Sequence, residues 1–360
     1  MLNKLKQKIE TKRESKNFLL KAIFKIKDFI WFLYWFLIYF LSSLKYIKII
    51  NKRKKVKEKI KVLYISDHPH GSITHLANIW LGNNSNIDYE IHYSNEQKID
   101  RKKFKKYDLV FFGHLSKYLY DIHHLYDLNK SIITIHDKEE LLILSDPKAN
   151  FYEKKLFLYL LKRIKNLIVV SKEMHDILKK YEIDSFLIPT MGRFPFIDKN
   201  KIVTNKCGVC SVCSESWRKN PDLLLELKEY LKDQINFNLK IGLKIVNDDE
   251  YLKIIDENEI YICTSFIEGG PLPAIEAMGR GLVILSTPVG QMPELIINGE
   301  NGFICNTKED FIEKINLLNS DLVLLQKMRL KSREMIEKNR NINEIKKRVS
   351  DFIVECYLRS

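Results

Sequence analysis

Residues Ser265 to Gly281 read SFIEGGPLPAIEAMGRG, with Glu268 and Glu276 eight positions apart and a helical pattern starting near Leu272. The first turn of a helix presents backbone N–H groups without partners, and the helix dipole adds positive potential, so an anion is welcome there. Gly269 and Gly270 have no side chains to hold a ligand away from the main chain. Pro271 and Pro273 donate nothing but suit a helix start, which leaves Leu272, Ala274 and Ile275 as donors. Glu268, at a strand edge, would point into a cleft. Glu276, on the first turn, would lie beside whatever the helix start holds. Carboxylates are acceptors, so they suit the hydroxyls that accompany a bound phosphate. A sugar diphosphate carrying a ribose has the matching parts: anion on the N–H groups, ribose on Glu276, sugar hydroxyls on Glu268. The spacing alone equally fits two acids that merely complement the helix dipole.

Positioning these groups needs strands that end at a common edge. KIKVLYISD (Lys59–Asp67), YDLVFFG (Tyr107–Gly113), SIITIHD (Ser131–Asp137) and NLIVVS (Asn166–Ser171) are short apolar runs separated by helical stretches such as ITHLANIWL. The alternation resumes with KCGVCSVC, a helix from Pro221 to about Lys232, NFNLKIGL, EIYICTS, the Glu276 helix, LVILST and NGFIC. Alternation of this kind predicts parallel sheets with right-handed crossovers and helices on both faces. The two runs meet at IPTMGRFPFIDKN (Ile188–Asn200), a joint with Pro, Gly and Asp. The expected fold is α/β, with two Rossmann-like domains facing a cleft into which ligands enter at the strand C-termini. The expected boundaries are an N-terminal segment at 1–57, a first domain at 58–195, a second at 196–340 and a closing helix at 341–360 that returns towards the first domain.

The Glu268–Glu276 stretch resembles the E-x7-E donor-site signature of the retaining GT-B glycosyltransferases of family 4, often called group 1. The continuation EAMGRGLVILSTPVGQMPELIINGENGFI is similar to that family's through Glu276–Met278, Gly281, Gly290, Glu294, Asn301 and Gly302. The resemblance extends more weakly over about residues 60–340. It implies a GT-B fold, a nucleotide-sugar donor, retention of anomeric configuration and no required metal, in keeping with the lack of an Asp-x-Asp pair. SESWRKNPDLLLEL resembles the R-x4-K-G loop, which makes Lys219 the lysine on the donor diphosphate. The family arginine falls at Ser214, a departure for which Arg218 is the nearest substitute. TIHD makes His136 the cleft histidine beside the transferred sugar. HPHGSITHLANIW resembles the phosphate-side glycine loop and keeps one glycine, Gly71; in LIPTMG, Thr190 replaces an asparagine. The region Leu239–Asn258, where the family contacts the base, is shorter than usual by about one strand–helix unit.

Charge is distributed unevenly. The chain of 360 residues has a formal net charge of +14, and residues 1–61 hold eighteen Lys and Arg against four acids, which accounts for all of it. The remaining body is neutral and offers no basic face for nucleic acid. Within the basic segment, Phe29–Leu44 is a run of sixteen uncharged residues with two Trp, four Phe and two Tyr. It falls short of the ~20 residues that span a bilayer, and its aromatic side chains favour the headgroup boundary. Lysines at both ends favour the cytoplasmic side together, which an interfacial or re-entrant helix satisfies and a single span does not. A helix docked on the protein itself is the alternative.

Cys207, Cys210 and Cys213 follow a C-x2-C-x2-C spacing, but Cys263, Cys305 and Cys356 supply no fourth ligand near them. The stretch therefore reads as a buried strand, and no metal is expected. His68 and His70 likewise lack a third ligand, and His123 and His124 read as surface. The combined expectation is a glycosyltransferase acting at the cytoplasmic face of the membrane, with residues 1–57 on anionic lipid and a glycan or lipid-linked acceptor in surface polysaccharide synthesis. Two alternatives keep the fold: a membrane scaffold that has lost the chemistry, and a sugar-nucleotide epimerase.

Overall fold

A computed structural model of the chain describes Leu33 and residues 58–69, 71–96, 101–116, 128–242 and 247–360. Apart from Leu33, the Phe29–Leu44 run lies outside the described residues, as do His70, His123 and His124. Among the described residues no helix is long and apolar enough to cross a membrane. The chain divides into two compact units, Met1–Lys52 with Ile143–Arg163, and Arg53–Leu142 with Ile164–Ser360. Within the first unit, Phe151–Leu161 is a helix whose Asn150 side chain accepts from the Tyr152 N–H. Both sheets belong to the second.

The first sheet contains β1 (Ile60–Ser66), β2 (Ile87–Tyr93), β3 (Leu109–Phe112), β4 (Ser131–Ile135), β5 (Leu167–Val169) and β6 (Phe186–Leu187), all parallel, in the order β2-β1-β3-β4-β5-β6. Every residue of β3 and β4 is buried, as continuous apolar runs between helical layers require. The edge strand β2 alternates polar and apolar positions and is half-buried. The second sheet contains β7 (Gly208–Cys213), β8 (Asn236–Ile241), β9 (Ile260–Cys263), β10 (Val283–Ser286) and β11 (Gly302–Ile304), parallel, in the order β11-β10-β9-β7-β8. The helices used below are α1 (Ser72–Leu81), α2 (Lys172–Lys179), α3 (Pro221–Leu231), α4 (Asp248–Asp256), α5 (Leu272–Gly279), α6 (Met292–Leu295), α7 (Lys308–Ser320), α8 (Leu322–Asn339) and α9 (Ile342–Arg359). Among the described residues a single helix, α4, separates β8 from β9.

The second sheet is covered on both faces. Leu224, Leu227 and Leu231 of α3 and Phe311 and Ile315 of α7 pack with Val209, Ile262 and Leu285. Ala274, Ile275 and Met278 of α5 and Ile255 of α4 pack with Cys210, Tyr261 and Ile284. Cys210 is thus a small apolar side chain of the core. Two chain segments tie this sheet to the first. Helix α9 returns to pack on α1, with Phe352 stacked on Phe186 at 4.6 Å. Gln291 Nε2 donates to the Val170 carbonyl at 2.8 Å and to Thr190 Oγ1 at 2.7 Å, while Arg340 Nη2 donates to Gln291 Oε1 at 2.7 Å.

Arg329 of α8 is buried and anchors that helix under the sheet. It donates to the Gly281 carbonyl at 2.9 Å, to the Val203 carbonyl at 2.9 Å and to Thr204, and its guanidinium lies 3.7 Å from buried Glu259. Burial lowers the Arg329 pKa against the pull of Glu259. Removing one partner of such a buried pair leaves the other charge uncompensated. Arg329→Ala is expected to lower the unfolding free energy by about 3 kcal/mol in urea titration; a loss within experimental error would show that this anchor contributes nothing.

Candidate active site

The start of α1 and the residues just after β3 and β4 face the C-terminal ends of β7 and β9 across a cavity of about 410 Å³. Ser72, His114 and His136 line it from the first sheet; Ser214, Lys219 and Glu268 line it from the second. Leu272, Pro273 and Ala274, the first residues of α5, also face it. The helix start lies at the cavity wall because β9 ends at Cys263 and the short loop Thr264–Pro271 turns the chain back onto the sheet.

Glu268 is buried, and its Oε1 accepts from Ser265 Oγ at 2.8 Å and from Lys219 Nζ. Lys219 closes a 3-10 turn, Trp217–Lys219, fastened to the β9 loop by Thr264 Oγ1, which donates to the Lys219 carbonyl at 2.9 Å. The neighbouring Arg218 crosses to the first sheet, pairing with Asp137 and, through Nε at 3.0 Å, with Glu139. Burial works against the charged guanidinium, but Asp137 and Glu139 outweigh it and raise the Arg218 pKa. Ser214, where the resemblance expects an arginine, also lines the cavity. Both cations near the cavity are therefore held by carboxylates.

His136 stacks on Trp80 at 5.9 Å and meets His114 edge-on at 6.2 Å. Both its ring nitrogens are buried without a hydrogen-bond partner among the described residues. Burial, reinforced by His114, pulls its pKa down to about 3, so the imidazole is neutral near pH 7. Glu140 fixes the local backbone by accepting from the N–H groups of His136 and Ser116, both at 3.2 Å, and burial pushes its own pKa up. Asp67 lies 3.8 Å from His114 Nε2. Burial alone would raise the Asp67 pKa, but the nearby His114 ring and the hydrogen bond from the His68 N–H outweigh it and hold the carboxyl well below its usual range.

The two glutamates of the signature sit differently. Glu276 is buried, does not line the cavity, and receives four donors. Its Oε1 accepts from the Arg193 N–H at 3.0 Å and Nε at 2.8 Å; its Oε2 accepts from Arg193 Nη2 at 3.1 Å and Tyr251 Oη at 2.6 Å. The two signature glycines make room for protein rather than for open space. A Cβ on Gly269 would lie 1.8 Å from the His136 carbonyl oxygen, and one on Gly270 would lie 2.1 Å from Thr190 Oγ1. Gly270 still lines the cavity; Gly269 does not. Gly71 is the N-cap of α1, next to the cavity residues Ser72 and Ile73.

Sequence reasoning missed Arg193, Tyr251, Asp137, His114 and Ser265 as partners of the site. Asp137 adjoins His136 in TIHD and Ser265 opens the quoted stretch, so proximity in sequence could have flagged both. Arg193 is 83 positions from Glu276, and nothing local announces the pair. The remaining thiols are inert: burial pushes Cys207 up to about 12 and Cys213 up to about 11. No group of three or more His, Cys, Asp or Glu able to hold a metal ion occurs among the described residues.

Residues 243–341 match the family described as Glycosyl transferases group 1. That segment includes Glu268, Glu276 and all of α5. The sequence matches no curated protein. Among solved structures, the chain is similar to a mutant S. aureus TarM in complex with Fondaparinux, alpha-GlcNAc-glycerol and UDP, at 18% identity and a TM-score of 0.56, over 70% of this chain and 58% of that one. It is similar to Anabaena HepE in complex with UDP-glucose, at 13% identity and a TM-score of 0.60, over 81% of this chain and 98% of that one. Sucrose-phosphate synthase from Thermosynechococcus elongatus gives 15% identity and a TM-score of 0.61, over 81% and 98%. The chain thus spans 58% of the length of TarM and nearly all of the other two. At these identities the likeness is one of fold. The fold is of GT-B architecture, and the segment 243–341 within it carries the match to Glycosyl transferases group 1.

The neutral His136 carries a pH signature. Its folded pKa, about 3, lies below the 6.5 of an ordinary histidine. Between those values the unfolded chain binds the extra proton, so its stabilising contribution is complete above pH 6.5 and is lost as pH falls. His136→Phe, which keeps a ring on Trp80, is expected to flatten the dependence of the urea midpoint on pH between 7 and 4.5 by as much as one bound proton. Parallel profiles for the two proteins would mean that His136 is not held neutral.

Proposed function

We propose that the chain is a retaining glycosyltransferase of the family 4 type, moving a sugar from a nucleoside-diphosphate sugar to a glycan or lipid-linked acceptor at the cytoplasmic face of a membrane. The observation that carries this reading is the cavity itself: the Glu268–Lys219 pair and the start of α5 on one wall, neutral His136 on the other. The UDP bound by the TarM structure and the UDP-glucose bound by HepE support a nucleoside-diphosphate donor.

As the glycosidic bond breaks, negative charge builds on the departing diphosphate. Lys219 and Arg218 are the groups that stabilise it, which is electrostatic rather than nucleophilic catalysis; of the donors expected at the start of α5, the Ala274 and Ile275 N–H groups already donate to the Pro271 carbonyl, at 3.0 and 3.1 Å. Both cations must exchange partners for this, Lys219 from Glu268 and Arg218 from Asp137 and Glu139. Glu268, once released, is free to accept from sugar hydroxyls. His136 keeps two uncommitted nitrogens beside the same space, one a donor and one an acceptor in the neutral ring. Retention, and the assignment of charge stabilisation to side chains without a metal, rest on the family resemblance.

The membrane part of the proposal rests on the charge and aromatic content of residues 1–57. Cations near anionic headgroups contribute ~1 kcal/mol each. The full chain is expected to sediment with vesicles containing phosphatidylserine and a chain lacking residues 1–57 to stay in the supernatant; co-sedimentation of the truncated chain would refute the assignment.

Ser214 in the place of the family arginine favours a second reading, a scaffold that binds no donor. A panel of UDP-, GDP-, ADP- and dTDP-sugars screened by thermal unfolding separates the two. At least one donor at a hundred times its Kd is expected to stabilise the chain by about 2.7 kcal/mol, seen as a rise in Tm of several degrees. Lys219→Ala is expected to lose most of that rise. A flat response to the whole panel supports the scaffold, and conversion of a donor without acceptor supports an epimerase.

A further inference from the structure

Four donors converge on the carboxylate of Glu276, and a carboxylate offers about four lone-pair positions. No acceptor capacity is left for a ribose. Three of the four donors come from one residue, Arg193: its backbone N–H, Nε and Nη2. The guanidinium is held on its other sides as well. Nη1 reaches Asp248 at 3.1 Å, and the group lies over the rings of Phe194 at 4.6 Å and Tyr251 at 5.0 Å, themselves stacked at 5.6 Å. The Glu276 side chain is closed in on another flank by Gly192, where a Cβ would come within 2.8 Å of its Cγ.

We infer that Arg193 is an internal competitor for the ribose seat, a residue that sets donor affinity by occupying Glu276 until the donor displaces it. This rests on the nucleotide-sugar reading given above. The exchange is balanced in hydrogen bonds. Nε and Nη2 of Arg193 leave, and the two ribose hydroxyls replace them as donors, while the Arg193 N–H and Tyr251 Oη stay in place. Glu276 is buried, so it cannot be left with two empty positions at low cost, and the guanidinium leaves only when hydroxyls arrive. The released guanidinium is not stranded either. Asp248 is mostly exposed and can keep it at the surface. A ligand that offers only phosphate gains nothing from this seat, whereas a ribonucleotide trades one pair of donors for another. The fraction of molecules with the seat open multiplies the apparent affinity.

The test is calorimetric titration of the full chain with UDP, GDP and ADP, followed by the 2′-deoxy form of whichever binds best. Arg193→Gln is shorter, with its amide where the arginine has Nε, so it keeps two N–H donors but removes the charge and the second point of contact. It is expected to bind the ribonucleotide about tenfold more tightly than wild type, with the gain reduced for the 2′-deoxy ligand. Arg193→Lys, which cannot bridge both oxygens, serves as the second variant and should show the same direction. Wild-type binding that both variants leave unchanged or weaken would overturn the competitor role alone. Failure of wild type and variants to bind any of the three nucleotides would sink the nucleotide-donor reading, and the inference with it. A gain equal for ribose and 2′-deoxyribose would also count against the inference, since the seat would then not be a ribose seat.

Discussion

The carbonyl oxygen of His136 lies where a methyl group on Gly269 would have to be. This contact between the end of β4 and the loop after β9 is the constraint on which the site depends, because it sets the distance between the two sheets at the cavity. Neither partner can retreat. His136 is stacked on Trp80, and its N–H is fixed by Glu140. Gly269 has Gly290 behind it, where a Cβ would lie 2.4 Å from the Gly269 carbonyl. With the main chains this close, Glu268 and the His136 ring share one small volume rather than facing each other across open solvent. Gly270 against Thr190 and Gln291 extends the same closeness along the joint between the halves.

Electrostatics then divides the two glutamates that the sequence presents as a pair. Glu268 has one cation and one hydroxyl and faces the cavity; Glu276 has a full set of donors and does not. The difference lies in the surroundings rather than in the residue type. Helix α5 begins at the cavity wall, and Glu276, past its first turn, lies on the side where Arg193 and Tyr251 meet it. The cations follow the same logic. Lys219 and Arg218 are adjacent in sequence but pair on opposite sides, so one stays with the second sheet and the other spans the cleft.

Much of the framework was legible because it is written in local chemistry. Strands such as LVFF and SIITI are apolar on both faces and short, and the helices between them keep their own period. The edge strand β2 escaped notice because IDYEIHY alternates in polarity and only its ends are buried. Strand β6 is two residues long and has no pattern to read. In the site, Glu268, Lys219 and His136 were legible through neighbours in sequence and through resemblance. Arg193 was not: it sits in the joint between the halves, and its partner lies across the fold. Gly269 was expected to lie close to a ligand because it has no side chain, but the group that comes close to it is the His136 backbone carbonyl. A missing side chain announces proximity without naming the neighbour.

Helix α9 has a consequence for how the molecule is made. It follows the second sheet in sequence, yet it packs on α1 and on β6, elements that are synthesised much earlier. A nascent chain therefore carries an incomplete first half throughout translation of the second, with the α1 surface waiting for residues still inside the ribosome. Domains otherwise fold as units while they emerge. Here the eighteen-residue α9 completes the packing of α1 only after the second sheet has been synthesised.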